Sequence, residues 1–275
     1  MMCAWKELIS ILPIRLRDEV DRLGKDTMQE LRLRIYAQPE IVLREESLWL
    51  NVAVTRDDLN FVINAASQYS PWCAETMAQG YITAAGGHRI GLCGTTICRD
   101  GSMVGMREVD SICIRVARDF PGIGERFQTA EDSILIIGAP GWGKTTMLRD
   151  VIRQISLYET VSVVDERGEL FPIGFQRGKR TDVLLGCPKR IGIDLVLRTM
   201  GPCCIAVDEI TEETDCSALI QAANCGVRLL ATAHANSMRD FLRRAVYKPL
   251  IKKQIFRTII VLDKEKSFRV ERMTV

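Results

Sequence analysis

The chain has 275 residues, enough for a sizeable core and two domains. Lysine and arginine total 37 against 35 acids, a net charge of +2, so no global basic field marks nucleic acid as the main partner. Ten cysteines are scattered without any C-x-x-C spacing and read as reduced, small apolar side chains of a cytosolic protein, while two histidines argue against a structural zinc site.

In chain order, residues 3–23 pattern as one or two amphipathic helices broken at Pro13. Their apolar stretches fall far short of the ~20 residues that a bilayer crossing needs, and no leader is visible. A helix follows over 56–68, and Ser70-Pro71 has the form of an N-cap with proline at the first helical position. Short strands are expected over 81–84, 89–96 and 111–117, separated by Gly86-Gly87 and Asp100-Gly101 turns. Residues 1–125 therefore read as a smaller α+β N-terminal domain.

From residue 126 onward the pattern changes to strand then helix: strands over 133–137, 160–164, 203–207 and 227–232, helices over 144–156, 193–200 and 214–224. That alternation implies an α/β domain with a mainly parallel sheet and crossover helices over 126–275, closed by a hairpin of 258–262 and 268–272.

The first of these strands runs into Gly138-Ala139-Pro140-Gly141-Trp142-Gly143-Lys144-Thr145, a complete G-x-x-x-x-G-K-[ST] phosphate loop, with Thr146 continuing into the helix. Glycines let backbone N–H groups turn inward on a polyphosphate and the helix N-terminus adds its positive dipole end. Lys144 supplies a point charge, and the Thr145 hydroxyl can hold Mg²⁺. ATP and Mg²⁺ are the expected ligands. The apolar strand 203–207 then ends in Asp208-Glu209, an arrangement that offers one acid to Mg²⁺ and another to an attacking water. The same pair could instead be a solvated opening to the following helix, since Glu212, Glu213 and Asp215 continue the acidic run.

Two more segments carry chemistry. Asp165-Glu166-Arg167-Gly168-Glu169 places three acids past the second strand, beside the phosphate-loop strand if the sheet is wound in the usual way; a solvated charged loop is the other reading. Ala231-Thr232-Ala233-His234 ends a strand in a threonine and a histidine, where a side chain can sense a γ-phosphate or simply be a satisfied structural residue.

Phosphate loop, acidic box, Asp-Glu strand end and histidine box, in that order, resemble the RecA-like ATPases of type II and type IV secretion systems. That resemblance implies a functional acid at Glu166 and two platform arginines that reach a nucleotide, often a neighbour's. Gly86-Gly87-His88-Arg89-Ile90-Gly91 and Ser111-Ile112-Cys113-Ile114-Arg115 make Arg89 and Arg115 the candidates, although solvated strand arginines would look the same. Together with Leu31-Arg32-Leu33-Arg34, Pro39 and Val116-Ala117-Arg118, these segments also resemble the stage III sporulation protein AA family of endospore-forming bacteria, over nearly the whole chain.

This second resemblance implies an ATPase working as a homo-oligomer, a hexamer by analogy, with membrane proteins of a sporulation channel. The expected location is cytoplasmic, peripheral at the inner face of a membrane through those partners. The four-cysteine zinc motif of some secretion ATPases is missing, and their extended C-terminal helical domain is reduced to 238–255. On this reading Lys144, Thr145 and Asp208 hold phosphate and Mg²⁺, Glu209 polarises water with Glu166 as the alternative base, His234 senses phosphate, and Arg89 and Arg115 stabilise charge. Two other readings stay open: a nucleic-acid-binding RecA-like ATPase, disfavoured by neutral charge and 6% aromatic content, and a nucleotide-dependent scaffold with little turnover.

Overall fold

The computed structural model describes residues 3–24, 27–43, 46–68, 77–78, 80–172 and 174–273, so the Ser70-Pro71 helix start lies outside the described residues. The chain packs as two compact units, residues 1–119 with 172–175 and residues 120–171 with 176–275.

The N-terminal unit contains α1 (Trp5–Ser10), α2 (Ile14–Gly24), β1 (Glu30–Arg34), β2 (Glu40–Val42), β3 (Ser47–Trp49), α3 (Arg56–Ser67), β4 (Tyr81–Thr83), β5 (Arg89–Arg99) and β6 (Ser102–Arg115). Pro13 separates the first two helices, as expected of a residue that cannot continue a helical hydrogen-bond ladder. The strands form one antiparallel sheet in the order β3-β2-β1-β6-β5-β4. Alternation explains its two faces: Leu31 and Leu33 of β1, Ile90 and Leu92 of β5, and Ile112 and Ile114 of β6 enter the core with Leu16, Val20, Leu59 and Val62 of the helices. The residues that alternate with them, Arg32, Arg89 and Arg115 included, are left on the other face.

The β5–β6 hairpin is longer than the sequence suggests, because residues 102–110 extend β6 with register shifts at three places that break any regular alternation. His88 is fully buried and joins three segments: its Nε2 lies 2.9 Å from the Ala4 carbonyl, and its Nδ1 accepts the Ala117 N–H at 3.2 Å. Burial pulls its pKa below the ordinary histidine value, consistent with a neutral structural ring.

A capping box starts α3, where the Asp58 N–H donates to Thr55 Oγ1 at 3.3 Å and the Thr55 N–H donates to Asp58 Oδ2 at 2.6 Å. Arg15 also donates to the Asp58 carboxylate. Burial opposes ionisation of Asp58, but the hydrogen bonds from Arg15 and Thr55 bring its carboxyl below the ordinary value. The stabilisation is therefore present above about pH 4 and is lost as pH falls through the lower folded-state value. Asp58→Ala is expected to cost about 2 kcal/mol, read as a lower denaturation midpoint with the slope unchanged.

The second unit contains β7 (Ile134–Gly138), α4 (Lys144–Ile155), β8 (Val161–Asp165), β9 (Thr181–Leu185), α5 (Lys189–Thr199), β10 (Cys204–Ile210), α6 (Glu213–Asn224), β11 (Arg228–His234), α7 (Met238–Arg243), α8 (Lys248–Lys252), β12 (Thr258–Leu262) and β13 (Phe268–Arg272). Its sheet has the order β13-β12-β7-β11-β10-β8-β9, parallel throughout except for the closing β12–β13 pair. Both faces are covered, which is why β7, β8 and β12 are buried at every residue. Leu135 and Ile137 of β7 pack with residues of α5, α6 and α7, whereas Ile134 and Ile136 pack with Met147, Leu148, Val151 and Ile152 of α4. This is the expected α/β architecture with a mainly parallel sheet, preceded by an antiparallel unit.

One adjacency differs from expectation. β8 pairs with β10, and β11 and β10 both stand between β8 and β7. The acidic box after β8 therefore neighbours the Asp208-Glu209 strand end and not the phosphate-loop strand.

Candidate nucleotide-binding site

Four parallel strand ends, those of β7, β8, β10 and β11, build the site. β7 delivers the loop 138–145, in which Gly141 (φ 78°) and Gly143 (φ 97°) take left-handed backbone conformations that side chains resist. Gly143 is the N-cap of α4 and provides no side-chain cap, so the first-turn N–H groups are donors available to an anion. Ala139, Pro140 and Gly141 form the rim of the loop, Trp142 packs partly into the core beneath it, and Thr146 follows on α4.

Lys144 is 7% exposed. Its Nζ donates to the Ala139 carbonyl at 3.0 Å and lies 3.0 Å from His234 Nδ1. Burial pulls the ammonium below the ordinary lysine pKa, against the opposing charges of Glu209 and Asp208. Lysine nitrogen has no acceptor capacity, so Nδ1 must accept and the imidazole proton sits on Nε2. That nitrogen is 2.7 Å from Glu209 Oε1, and the other Glu209 oxygen lies 3.5 Å from Arg167 Nη1. Lys144, His234 and Glu209 are thus one continuous hydrogen-bonded chain.

Asp208 is fixed from both sides: Thr145 Oγ1 donates to its Oδ2 at 3.1 Å, and Thr232 Oγ1 donates to its Oδ1 at 2.9 Å. The β10–β11 register shifts between Val207 and Ile210, so the two acids leave the ladder at that point. A bulge of this kind re-aims side chains at the end of a strand. Thr232 is fully buried, and its placement of Asp208 is a role that sequence reasoning did not assign; an isolated hydroxyl in the apolar run of β11 was the available signal.

The acidic box divides its labour. Asp165 is 1% exposed and accepts N–H groups of Glu169 and Leu170 at 3.0 Å and of Phe171 at 3.2 Å. Burial pushes its pKa up, although those three hydrogen bonds work the other way. It shapes the loop. Glu166 lies 2.7 Å from Lys189 Nζ, in a cleft that Asp208 and Glu209 also line.

Arg89 and Arg115 belong to the N-terminal unit, as direct cross-strand partners on β5 and β6. The Arg89 guanidinium lies 4.3 Å over the Tyr81 ring, and Arg115 Nε is 3.3 Å from Glu30 Oε1. Two cations placed opposite each other repel, so these contacts offset a destabilising pair. No group of three or more His, Cys, Asp or Glu side chains disposed to hold a metal occurs among the described residues. A hydroxyl and a carboxylate in contact, Thr145 and Asp208, nevertheless fit the donor set that Mg²⁺ takes beside nucleotide oxygens.

Comparison with solved structures finds the same fold at low identity. The pilus retraction motor PilT with bound ADP matches with a TM-score of 0.64 at 14% identity, covering 95% of this chain and 83% of that one. The ATPase DotB of Yersinia pseudotuberculosis matches with a TM-score of 0.65 at 14% identity, covering 97% and 81%. Among sequences, the stage III sporulation protein AA of Bacillus subtilis (strain 168) is 33% identical over 281 residues, covering 95% of this chain and 92% of that protein. The family model described as sporulation stage III, protein AA matches residues 4–271, and the chain belongs to that family.

Proposed function

We propose that the protein is an ATP-hydrolysing homo-oligomer that energises or gates a membrane-associated channel during endospore formation. The observation that carries this reading is the Thr145–Asp208 contact, which brings the phosphate loop and the Asp-Glu strand end into one site, with Glu209 tied to Lys144 through His234. Family membership and the fold shared with proteins described as an ATPase and a pilus motor support it.

Lys144 and the N–H groups of 141–146 hold the β- and γ-phosphates. Thr145 and Asp208 would hold Mg²⁺, which when bound neutralises charge on the phosphate oxygens. Glu209 accepts a hydrogen bond from the attacking water and orients its lone pair along the axis of the breaking P–O bond. The Nε2–H of His234 fixes the rotamer of Glu209 meanwhile. The water oxygen bonds to the γ-phosphorus as the bridging P–O bond breaks, the electron pair of that bond leaves with ADP, and the water's protons depart with the released phosphate.

Arg89 and Arg115 supply charge stabilisation across a subunit boundary, so turnover follows assembly, and the ring is hexameric. Its partners are membrane proteins of the channel, and its place is the cytoplasmic side of that membrane. No helix among the described residues is long and apolar enough to cross a bilayer.

The test is ATPase rate against protein concentration, with sizing in the same buffer. Specific activity should rise as the oligomer forms, because an arginine supplied in trans contributes ~10³ to 10⁵ in rate. Arg115→Ala should abolish most turnover with ATP affinity of the monomer unchanged. Mixed with Lys144→Ala subunits it should regain part of the activity, since each contributes the half-site that the other lacks. Mixed rings of proven composition without any recovery would rule out the trans arrangement.

A further inference from the structure

The cleft beside Asp208 and Glu209 contains a cation that no motif announces. Lys189 is the first residue of α5, and its side chain is only 11% exposed. A helix N-terminus repels a cation through its backbone dipole, and burial strips the ammonium of water, so both effects work against a lysine there. Its partners offset them. Nζ lies 2.7 Å from Glu166 Oε2 and 3.6 Å from Asp215 Oδ2. Asp215 also accepts the N–H of Thr211 at 2.9 Å and its hydroxyl at 3.2 Å, which fixes the turn directly after β10.

The close seat of α5 on β8 depends on Gly192, where a Cβ would come within 2.5 Å of Val164 Cγ1. With that seat, one ammonium reaches both the acidic box after β8 and the turn after β10. Glu166 is then spent on Lys189, whereas Glu209 is the acid linked through His234 to Lys144 of the phosphate loop.

We infer that Lys189 is a positioning residue for hydrolysis, holding Glu166 and Asp215 so that Glu209, and not Glu166, is the water-orienting acid beside the phosphate loop. This role rests on the ATPase reading above. Lys189 touches no phosphate; it acts by keeping the end of β10 and the acidic box in one fixed relation.

Steady-state kinetics of the assembled full-length protein test it with Lys189→Met, Lys189→Arg, Glu166→Gln and the Lys189→Met/Glu166→Gln double variant. Lys189→Met and Glu166→Gln should each lower kcat about tenfold while KM for ATP stays within about threefold of wild type. The double variant should be no slower than the slower single, because both remove one shared contact. Lys189→Arg should recover most of the rate.

Losses that multiply to about a hundredfold in the double variant would show independent roles and overturn the inference. So would a raised KM with unchanged kcat, which would put Lys189 on the nucleotide, or a Glu166→Gln loss as deep as that of Glu209→Gln, which would make Glu166 the base. If Lys189→Met does not fold, Lys189→Arg and Glu166→Gln decide the matter by the same criteria. Lys189→Met turning over at the wild-type rate would remove this role and leave the ATPase reading standing. Wild type that binds ATP through Lys144 without any turnover in the assembled state would sink both.

Discussion

Lys144→Ala is expected to weaken ATP binding by a hundredfold or more and to abolish turnover. An ion pair at about 4 Å in surroundings of effective dielectric near 20 is worth ~4 kcal/mol, and Lys144 is the side chain that can bring such a charge to a phosphate in the loop. Its burial sharpens the effect, because the ammonium has little water around it to screen the field. The fold should survive. Truncation loses two hydrogen bonds, to the Ala139 carbonyl and to His234, but also removes a desolvated charge, so net stability should shift by about 1 kcal/mol or less. Calorimetric titration with ATP beside a thermal melt checks both halves. Affinity retained at wild-type strength would make the phosphate-loop assignment wrong.

Glu209→Gln is expected to leave ATP affinity near wild type and to lower kcat by roughly 10² to 10⁴, the range associated with a positioned general base. The substitution is nearly isosteric, and the amide oxygen can still accept the His234 Nε2–H that Glu209 accepts at 2.7 Å. Only the charge that aligns water is removed, and it is needed near the transition state rather than for binding. Equal turnover in wild type and Glu209→Gln, with binding intact, would favour a nucleotide-dependent scaffold. Single-turnover measurements separate the chemical step from product release.

These outcomes rest on parts that differ in how far the sequence reveals them. The phosphate loop is legible because its chemistry is local: glycines at positive φ, a lysine and a threonine must follow one another along the chain. The Asp208-Glu209 strand end is legible for the same reason. Strand order is not local. Which strand neighbours β8 is settled by packing across the whole sheet, and so the acidic box turns out beside β10 instead of β7.

β9 escapes notice because it is a short edge strand whose pattern of exposure lacks the fully apolar run of β7 or β8. The far half of β6 escapes because its bulges erase the period of two on which strand recognition depends. Lys189 is invisible for a related reason. Its partners lie 23 and 26 residues away, on either side of it in the chain, and nothing near Lys189 itself marks it as a buried cation.

The histidine that closes β11 has a consequence for timing. One nitrogen of His234 receives Lys144 and the other is given to Glu209, through a rigid planar ring. On the proposed ATPase reading, a phosphate that draws the lysine away from Nδ1 acts on the same ring whose opposite edge holds the glutamate. On that reading, loading the site and holding the acid for water attack are geared together at a single imidazole, whose Nε2 edge keeps the Glu209 carboxylate in place while its Nδ1 edge gives up the lysine to the phosphate.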